Sequence, residues 1–468
     1  IGMIDKLITR AEDGLRALGI DAPLMVVRGD GALISADQAR EKPIETILSG
    51  PAASIVGAQW MTGAQEALVS DIGGTTTDIA LLPGGKPKID PGGARVGPFR
   101  TMVEAVAMRT SGLGGDSEVH FTAEGLKGGV TLGPKRVVPV SLVALDAPKM
   151  VIATMEAQLR APAPGEYDAR FVRPVKGANR DGLQPRDEVI LERISGLRPL
   201  SEVIRTRVES QSVRRLVDRG IVQVSGVTPS DACHVMGSQS GWSDEAAELA
   251  LLLLGRRRKG DGERLAKTAR EMSEIILHQM TFQTSLALLE TAFSEDGGFE
   301  NQAASQLAQH ILLERGLEKH RGIIALDAAL NVPVVGLGAS ASTYYPAVGK
   351  RLGCEMILPE YAGVANALGA VVGRVTMRRS LTVTSPSEGL FRLHTDAGTN
   401  DFGDSATALF EAESLLTKLV LRDAKEAGAV DVKTTTSLDI RSSAVEAREV
   451  FVEAFVTVEA AGRPRITA

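Results

Sequence analysis

In SDIGGTTTDIALL, residues 70–82, two aspartates bracket two glycines and three threonines between apolar flanks. Gly73 and Gly74 permit turns and close approaches that a Cβ would block, so the amides here can converge on an anion. Thr75, Thr76 and Thr77 add hydroxyl donors. Asp71 and Asp78 would repel a bare phosphate and fit one only with a divalent cation or ordered water between them. The chemistry implied is phosphate plus metal, with Mg2+ the natural ion. A glycine pair also serves an ordinary β-hairpin turn, so the loop alone leaves a structural reading open.

Two Asp and His pairs offer further donors: Asp116 with His120, and Asp231 with His234. Such spacings suit a shared Zn2+, Mn2+ or Mg2+ ion. The competing reading makes Asp231 the cap of a helix opening in TPSDACHVMG, with His234 packed on it and His120 an ordinary strand residue. Cys233 adjoins His234, but neighbours on a helix point apart, so this is no nucleophile pair and buried packing is expected.

The elements that must position these groups follow from periodicity. ALVSDIGGTTTDIALL reads as strand, turn, strand, with the glycine–threonine loop at the tip. Upstream, IGMIDKLITRAEDGLRALGI is an amphipathic helix with Ile4, Leu7, Ile8, Ala11 and Leu15 on one face. IETILSGPAASIVGAQWM reads as a strand end, a Ser-Gly-Pro turn and a small-residue helix, and RVVPVSLVALD as another strand. Residues 162–226 read as three short helices and a strand, the outline of a winged helix-turn-helix, here taken as a structural insertion. Helices are expected from Asp244 to Leu254, Glu263 to Phe293 and Gln302 to Arg315. The stretch 322–375 returns to strand, glycine turn, helix, strand and helix, and the last ~90 residues alternate polar and apolar as a β-rich tail does.

Composition excludes several classes. The 468 residues carry 52 Lys plus Arg against 58 Asp plus Glu, a balance without the basic excess that phosphate backbones or anionic lipids require. Only 4% of residues are aromatic, too few for a stacking platform on single-stranded nucleic acid. Two isolated cysteines form neither a disulfide framework nor a zinc ribbon. No apolar run approaches the ~20 residues of a membrane span. The expectation is a cytoplasmic protein with small-molecule partners, no nucleic acid and no membrane. Because the chain opens at Ile1 inside a helical pattern, it is also expected to be the later part of a longer protein.

Three motifs carry a resemblance. DIGGTTTD resembles the second phosphate loop of the actin, sugar kinase and heat-shock chaperone ATPase superfamily. LSGPAASIVGA resembles its connecting helix, where small residues let two helices cross closely. VPVVGLGASASTYYPAV looks like its adenosine motif. Within that superfamily, EKPIETILSGPAASIVGA, SDIGGTTTDIALL, GVTPSDACHVMG and GCEMILPEYAGVANALGAVVG are similar to the A-type component of the hydantoinase/oxoprolinase family.

The resemblance implies an α/β fold: an actin-like ATPase (ribonuclease H-like) lobe with a helical, winged-helix-like insertion and a small β-rich C-terminal domain. On it, 1–66 would end a first lobe, 67–161 begin the second with its phosphate loop, 162–226 form the insertion, 227–320 a helical region, 321–378 the end of the lobe with the adenosine motif, and 379–468 the tail. It implies an ATP-dependent hydrolase that phosphorylates the carbonyl of a cyclic amide, with ATP and Mg2+, an oligomeric state and a B-type hydantoinase subunit as partner. Asp71, Asp78 and Asp116 would be catalytic. Gly73, Gly74, Thr75, Thr76, Thr77, Gly336, Gly338, Ala339 and Ser340 would hold the nucleotide. Asp71, Asp78, His120, Asp231 and His234 would hold metal, the last three a second ion. Tyr344 and Tyr345 would stack on a base or pack in the core, and Asn366 would bond across a helix interface.

The departures are specific. The family's first phosphate loop is absent, and GLGGDSEVH stands where many members have GAGGGS, which puts Asp116 in place of a glycine. An actin-like ATPase that reactivates a partner enzyme, and a non-catalytic scaffold, are the alternative functions.

Overall fold

The computed structural model describes residues 2–90, 92–93, 95–96, 99–123, 129–445 and 448–465. They fold as two compact units, one of residues 1–65, 82–107 and 364–468 and one of 66–81 and 108–363.

The second unit is built around a sheet of five strands among the described residues, in the order Met356–Ile357, Val334–Leu337, Ala67–Ile72, Thr77–Leu82, Met108–Ser111. The first three run parallel, and the last pair is antiparallel. Ala67–Ile72 is buried along nearly its whole length, as expected for a near-continuous apolar run in a covered parallel sheet. Leu68, Ile72 and Ile79 share a core with Tyr345, Met280 and Leu251 from helices Ala341–Leu352, Ala269–Glu295 and Asp244–Gly255.

The stretch read as an insertion forms helices Pro185–Arg193, Leu200–Val203 and Arg207–Asp218 and the closing strand Val222–Gly226. Ile190, Leu216 and Ile221 give it a core of its own. Thr206 and Glu209 form a capping box that starts its longest helix.

In the first unit a seven-stranded sheet joins Met25–Val27 and Leu33–Ser35 to the five C-terminal strands between Val375 and Pro464. Helix Ser405–Glu426, capped by Asp404, covers it with Ala408, Ala412, Leu416, Val420 and Ala424, one buried residue every fourth position. Helices Ser49–Thr62 and Ala365–Val372 cross at glycine contacts. A Cβ on Gly369 would lie 1.8 Å from the Ala53 carbonyl oxygen, and one on Gly57 2.1 Å from that of Ala365. This is the close crossing expected of LSGPAASIVGA. Asn366 is exposed, and its Oδ1 accepts from the Ala367 amide rather than from another helix.

Four local readings need correction. The tail carries a 22-residue helix as well as strands. Pro43–Thr46 is a 3-10 turn, and Ser49-Gly50-Pro51 is already the first turn of the helix, where proline costs no hydrogen bond. RVVPV pairs as a strand only at Val138–Pro139 before helix Val140–Val143 begins. Residues 302–315 split into Ala304–Ala308 and Ile311–Leu317. Among the described residues no helix is long and apolar enough to cross a membrane.

Candidate active site

Three glycine turns meet at one end of the five-stranded sheet. Residues 73–76 link strands Ala67–Ile72 and Thr77–Leu82, and the Gly73 amide closes the turn on the Thr76 carbonyl at 2.9 Å. Gly73, Gly74 and Thr75 are exposed; the Gly73 amide is spent on the turn, which leaves the Gly74 and Thr75 amides and the Thr75 hydroxyl open to a ligand. Thr77 is not: it is fully buried and its hydroxyl donates to the Leu113 carbonyl at 2.7 Å. That tie takes Thr77 out of the phosphate-facing set and makes it a brace.

The second turn, residues 112–117, lies against the first, backbone on backbone. The Gly115 amide donates to Gly73 O at 3.1 Å and the Asp116 amide to Gly74 O at 2.7 Å. A Cβ at 114 would come within 2.5 Å of Gly73 O, so glycine is required there. This packing puts the Asp116 carboxylate over Gly74, where an added Cβ would be 2.8 Å from its Oδ2. Arg136 holds the same oxygen through Nη2 at 3.0 Å and Nε at 3.2 Å.

The third turn follows strand Val334–Leu337, whose Leu337 pairs with Asp71. Gly338 has φ +107°, and a Cβ there would sit 2.1 Å from Ile72 O. Gly336 leaves room for the Tyr345 ring, whose hydroxyl contacts Ser70 O at 2.7 Å and Ser70 Oγ at 2.8 Å. Ala339 follows, and Ser340 leads into helix Ala341–Leu352 with its Oγ accepting from Gln239 Nε2 at 2.7 Å. Tyr344 and Tyr345 are both core residues; the Tyr344 hydroxyl meets Cys233 Sγ at 3.4 Å, which settles both groups as packing. Beyond the turn, a cavity of about 580 Å3 runs between this helix and Ala269–Glu295, lined by Thr343, Ala347, Lys350, Glu274 and His278.

Electrostatics mark the carboxylates. Burial pushes the Asp78 carboxyl above its ordinary range; the Thr110 hydroxyl, 2.5 Å away, pulls it back and the charge of Asp71 adds to the rise. Asp116 is likewise raised by burial against the pull of Arg136, with Asp231 adding to it. The Asp71 and Asp78 carboxylates and a threonine hydroxyl are hard oxygen donors of the kind Mg2+ takes alongside water and phosphate oxygens, while the exposed loop amides suit the phosphate itself.

The two Asp and His pairs do not assemble this way. Asp231 is fully buried and accepts from the Val140 and Ser141 amides, the Ser141 hydroxyl, and the Thr228 amide and hydroxyl, over 2.6–3.3 Å. It is the capping-box residue of helix Pro229–Val235. His234 contacts Ser230 O through Nδ1 at 2.8 Å and stacks on Trp242. His120 stands 3.6 Å from Glu118, not against Asp116, and burial with the Lys135 charge lowers its pKa. Among the described residues no three His, Cys, Asp or Glu side chains gather as a metal set, so the second-ion expectation finds no donor set there.

The motif around Asp231 does reach the site through Ser230, whose amide and hydroxyl both donate to Gly115 O at 2.9 Å. Ser230, Thr110, Arg136 and Gln239 escaped sequence reading because none stands in a motif with the loops they hold. Only Ser230, beside Asp231, carried a nearby signal.

Residues 3–141 match the family model described as Hydantoinase/oxoprolinase. That span contains Asp71, Asp78, Asp116 and Arg136 and the first two turns. No curated protein matches the chain. Among solved structures, it is similar to a nucleotide-free acetone carboxylase, described under ATP-dependent acetone carboxylation, at TM-score 0.52 and 14% identity over 98% of this chain and 56% of that one. It is also similar to an ATP-dependent caprolactamase from Pseudomonas jessenii, at TM-score 0.53 and 14% identity over 99% of this chain and 57% of that one. At that identity the two likenesses speak for the fold, and this chain spans little more than half the length of either. Residues 3–141, which hold the two paired glycine turns, are thus the part of the chain that matches the hydantoinase/oxoprolinase family.

Proposed function

We propose that this chain carries the nucleotide-binding centre of an ATP-dependent cyclic-amide hydrolase, built on an actin-like ATPase lobe. The observation that carries the reading is the meeting of three glycine turns with Asp71, Asp78 and Asp116 at one sheet end. The named activities of the two structural neighbours, acetone carboxylation and caprolactam hydrolysis, both depend on ATP and support it.

In this reading Gly73 closes the turn, and the amides of Gly74 and Thr75 with the hydroxyls of Thr75 and Thr76 orient the phosphates. Asp71 and Asp78 would hold a Mg2+ ion, which would neutralise charge on the transferring phosphoryl group. Gly336, Gly338, Ala339 and Ser340 back the nucleoside, and the cavity beside Thr343 takes its base. Bound ATP would supply a phosphoryl group to the amide carbonyl oxygen, with ADP as the leaving group. One water then adds to the activated carbon, its proton passing to the Asp116 carboxylate, which burial makes more basic than an ordinary aspartate. The ring C–N bond breaks with protonation of nitrogen and leaves an acyl phosphate, which a second water hydrolyses to carboxylate and phosphate. Arg136 positions Asp116. His120 lines a polar cavity of about 200 Å3 with Asp168, Arg170 and Arg257, a further substrate-side candidate. A B-type subunit as partner and a cytoplasmic setting belong to the same proposal.

The test is calorimetric titration of Mg-ATP together with ATP turnover on cyclic amides. Asp71→Asn is expected to abolish turnover with an unchanged circular dichroism spectrum; turnover at the parent rate would remove Asp71 from the mechanism.

A further inference from the structure

Among the described residues the strand Ala429–Val445 is bonded on one side only, to Arg448–Pro464, and so stands at an edge of the sheet of the first unit. Irregularities bound its regular run: the register shifts between Val430 and Lys433 and again between Arg441 and Ser442. Between them Lys433–Arg441 pairs without interruption, contains neither Pro nor Gly, and is exposed at every residue. An open edge of this kind is a template for another strand unless something blocks it.

The side chains on this run choose the partner. Thr434, Thr436, Leu438 and Ile440 lie opposite Ala460, Val458, Val456 and Ala454, all buried, so the even positions share the core side of the sheet. The odd positions Lys433, Thr435, Ser437, Asp439 and Arg441 take the other face.

We propose that this edge pairs with the same edge of a second copy of the chain, antiparallel about a two-fold axis through Thr436. In that register Lys433 stands opposite the second copy's Asp439, and by symmetry Asp439 opposite its Lys433. Neither side chain has an ion-pair partner among the described residues. The same register sets Thr434 against Leu438 on the core side, and Asp431 toward Arg441 at the ends. Moving the axis to Ser437 would set Lys433 against Arg441, and moving it to Thr435 would set Lys433 against Ser437 and carry Asp439 past the end of the regular run, losing both opposite-charge pairs. Placing it between residues would oppose core-side to outer-side positions. Like charges directly opposite destabilise a strand pair, so charge selects the Thr436 register from its neighbours.

The apolar surface agrees. Leu438 and Ile440 are half exposed on the core side of the edge, and Phe410 on helix Ser405–Glu426 is 67% exposed. Phe410 lies one turn before Glu413, whose carboxylate accepts from the Thr436 hydroxyl at 2.7 Å. That places it on the helix flank nearest the edge. A copy paired at Thr436 would cover all three, extending both backbone bonding and the apolar layer.

Sedimentation equilibrium on the 468-residue chain tests this. The parent chain is expected to dimerise. Lys433→Glu and Asp439→Lys, each setting like charges opposite twice in a symmetric pair, are expected to weaken the dimer at least about tenfold. The double reversal K433E/D439K is expected to restore it to within about threefold, since it exchanges the signs without changing the pairing. Circular dichroism establishes that each variant is folded. A parent chain that stays monomeric through the micromolar range overturns the proposal. So do single reversals that leave the dimer intact, or a double reversal that fails to recover it.

Discussion

Asp78 shows how function sits against stability at a single residue. Its carboxyl is raised by burial and by Asp71, so the folded state binds its proton more tightly than the unfolded chain does. A raised carboxyl stabilises the fold fully below its unfolded value near 3.8, and that contribution is lost as pH rises through the higher folded value. Asp78→Asn removes the ionisation while keeping an acceptor for Thr110. The melting temperature at pH 7 is therefore expected to equal or exceed the parent's, with the advantage fading below pH 3.8 and ATP turnover lost. A less stable variant at neutral pH would show that the carboxylate is held by an attraction instead. Asp71 and Asp78 stand out in the sequence because they bracket a glycine–threonine loop, and the metal-holding role given to them belongs to the proposal. Thr77 was misjudged because nothing in three consecutive threonines tells which hydroxyl the chain turns inward to Leu113.

The element scale belongs to Asp231 and the crossing helices. Five donors on three residues, from two segments, converge on the Asp231 carboxylate. Asp231→Ala strands the buried amides of Val140, Ser141 and Thr228 and is expected to cost about 3–5 kcal/mol, read by urea denaturation. A loss under about 1 kcal/mol would mean water replaces the carboxylate. At the crossing, Gly369→Ala forces a Cβ into the Ala53 carbonyl and is expected to cost about 1–3 kcal/mol, with Gly57→Ala similar. The helix bearing Asp231 was legible from Thr-Pro-Ser-Asp, which states its own cap. Its reach to Val140 and Ser141, ninety residues earlier, was not, because a side chain's distant partners leave no mark on local periodicity. The helix Ser405–Glu426 was missed despite its four-residue apolar spacing, since strand-like alternation on both sides drew the reading to β.

At the scale of the whole molecule, charge sets what the chain attracts. With a formal net charge of −6, it offers no excess of cations to displace counterions from a polyanion. Despite three helices and a strand at 185–226, duplex DNA is expected to show no mobility shift even at about 50 mM salt. A salt-sensitive shift would point to a local basic face on that segment.

What the sequence determined by itself was local: glycine turns that only glycine can make, a capped helix, apolar runs with the periods of buried strands and helices, and small residues where helices cross. Those follow from backbone sterics and short-range bonding, which a few neighbouring residues decide. Tertiary structure alone decided that the turns at 73, 112 and 336 meet, that Arg136 and Ser230 hold them, that Asp231 is a clamp, and that strand Ala429–Val445 is left at an edge. Those outcomes depend on which distant segments share a core, and burial rewards proximity without recording it in the order of the residues.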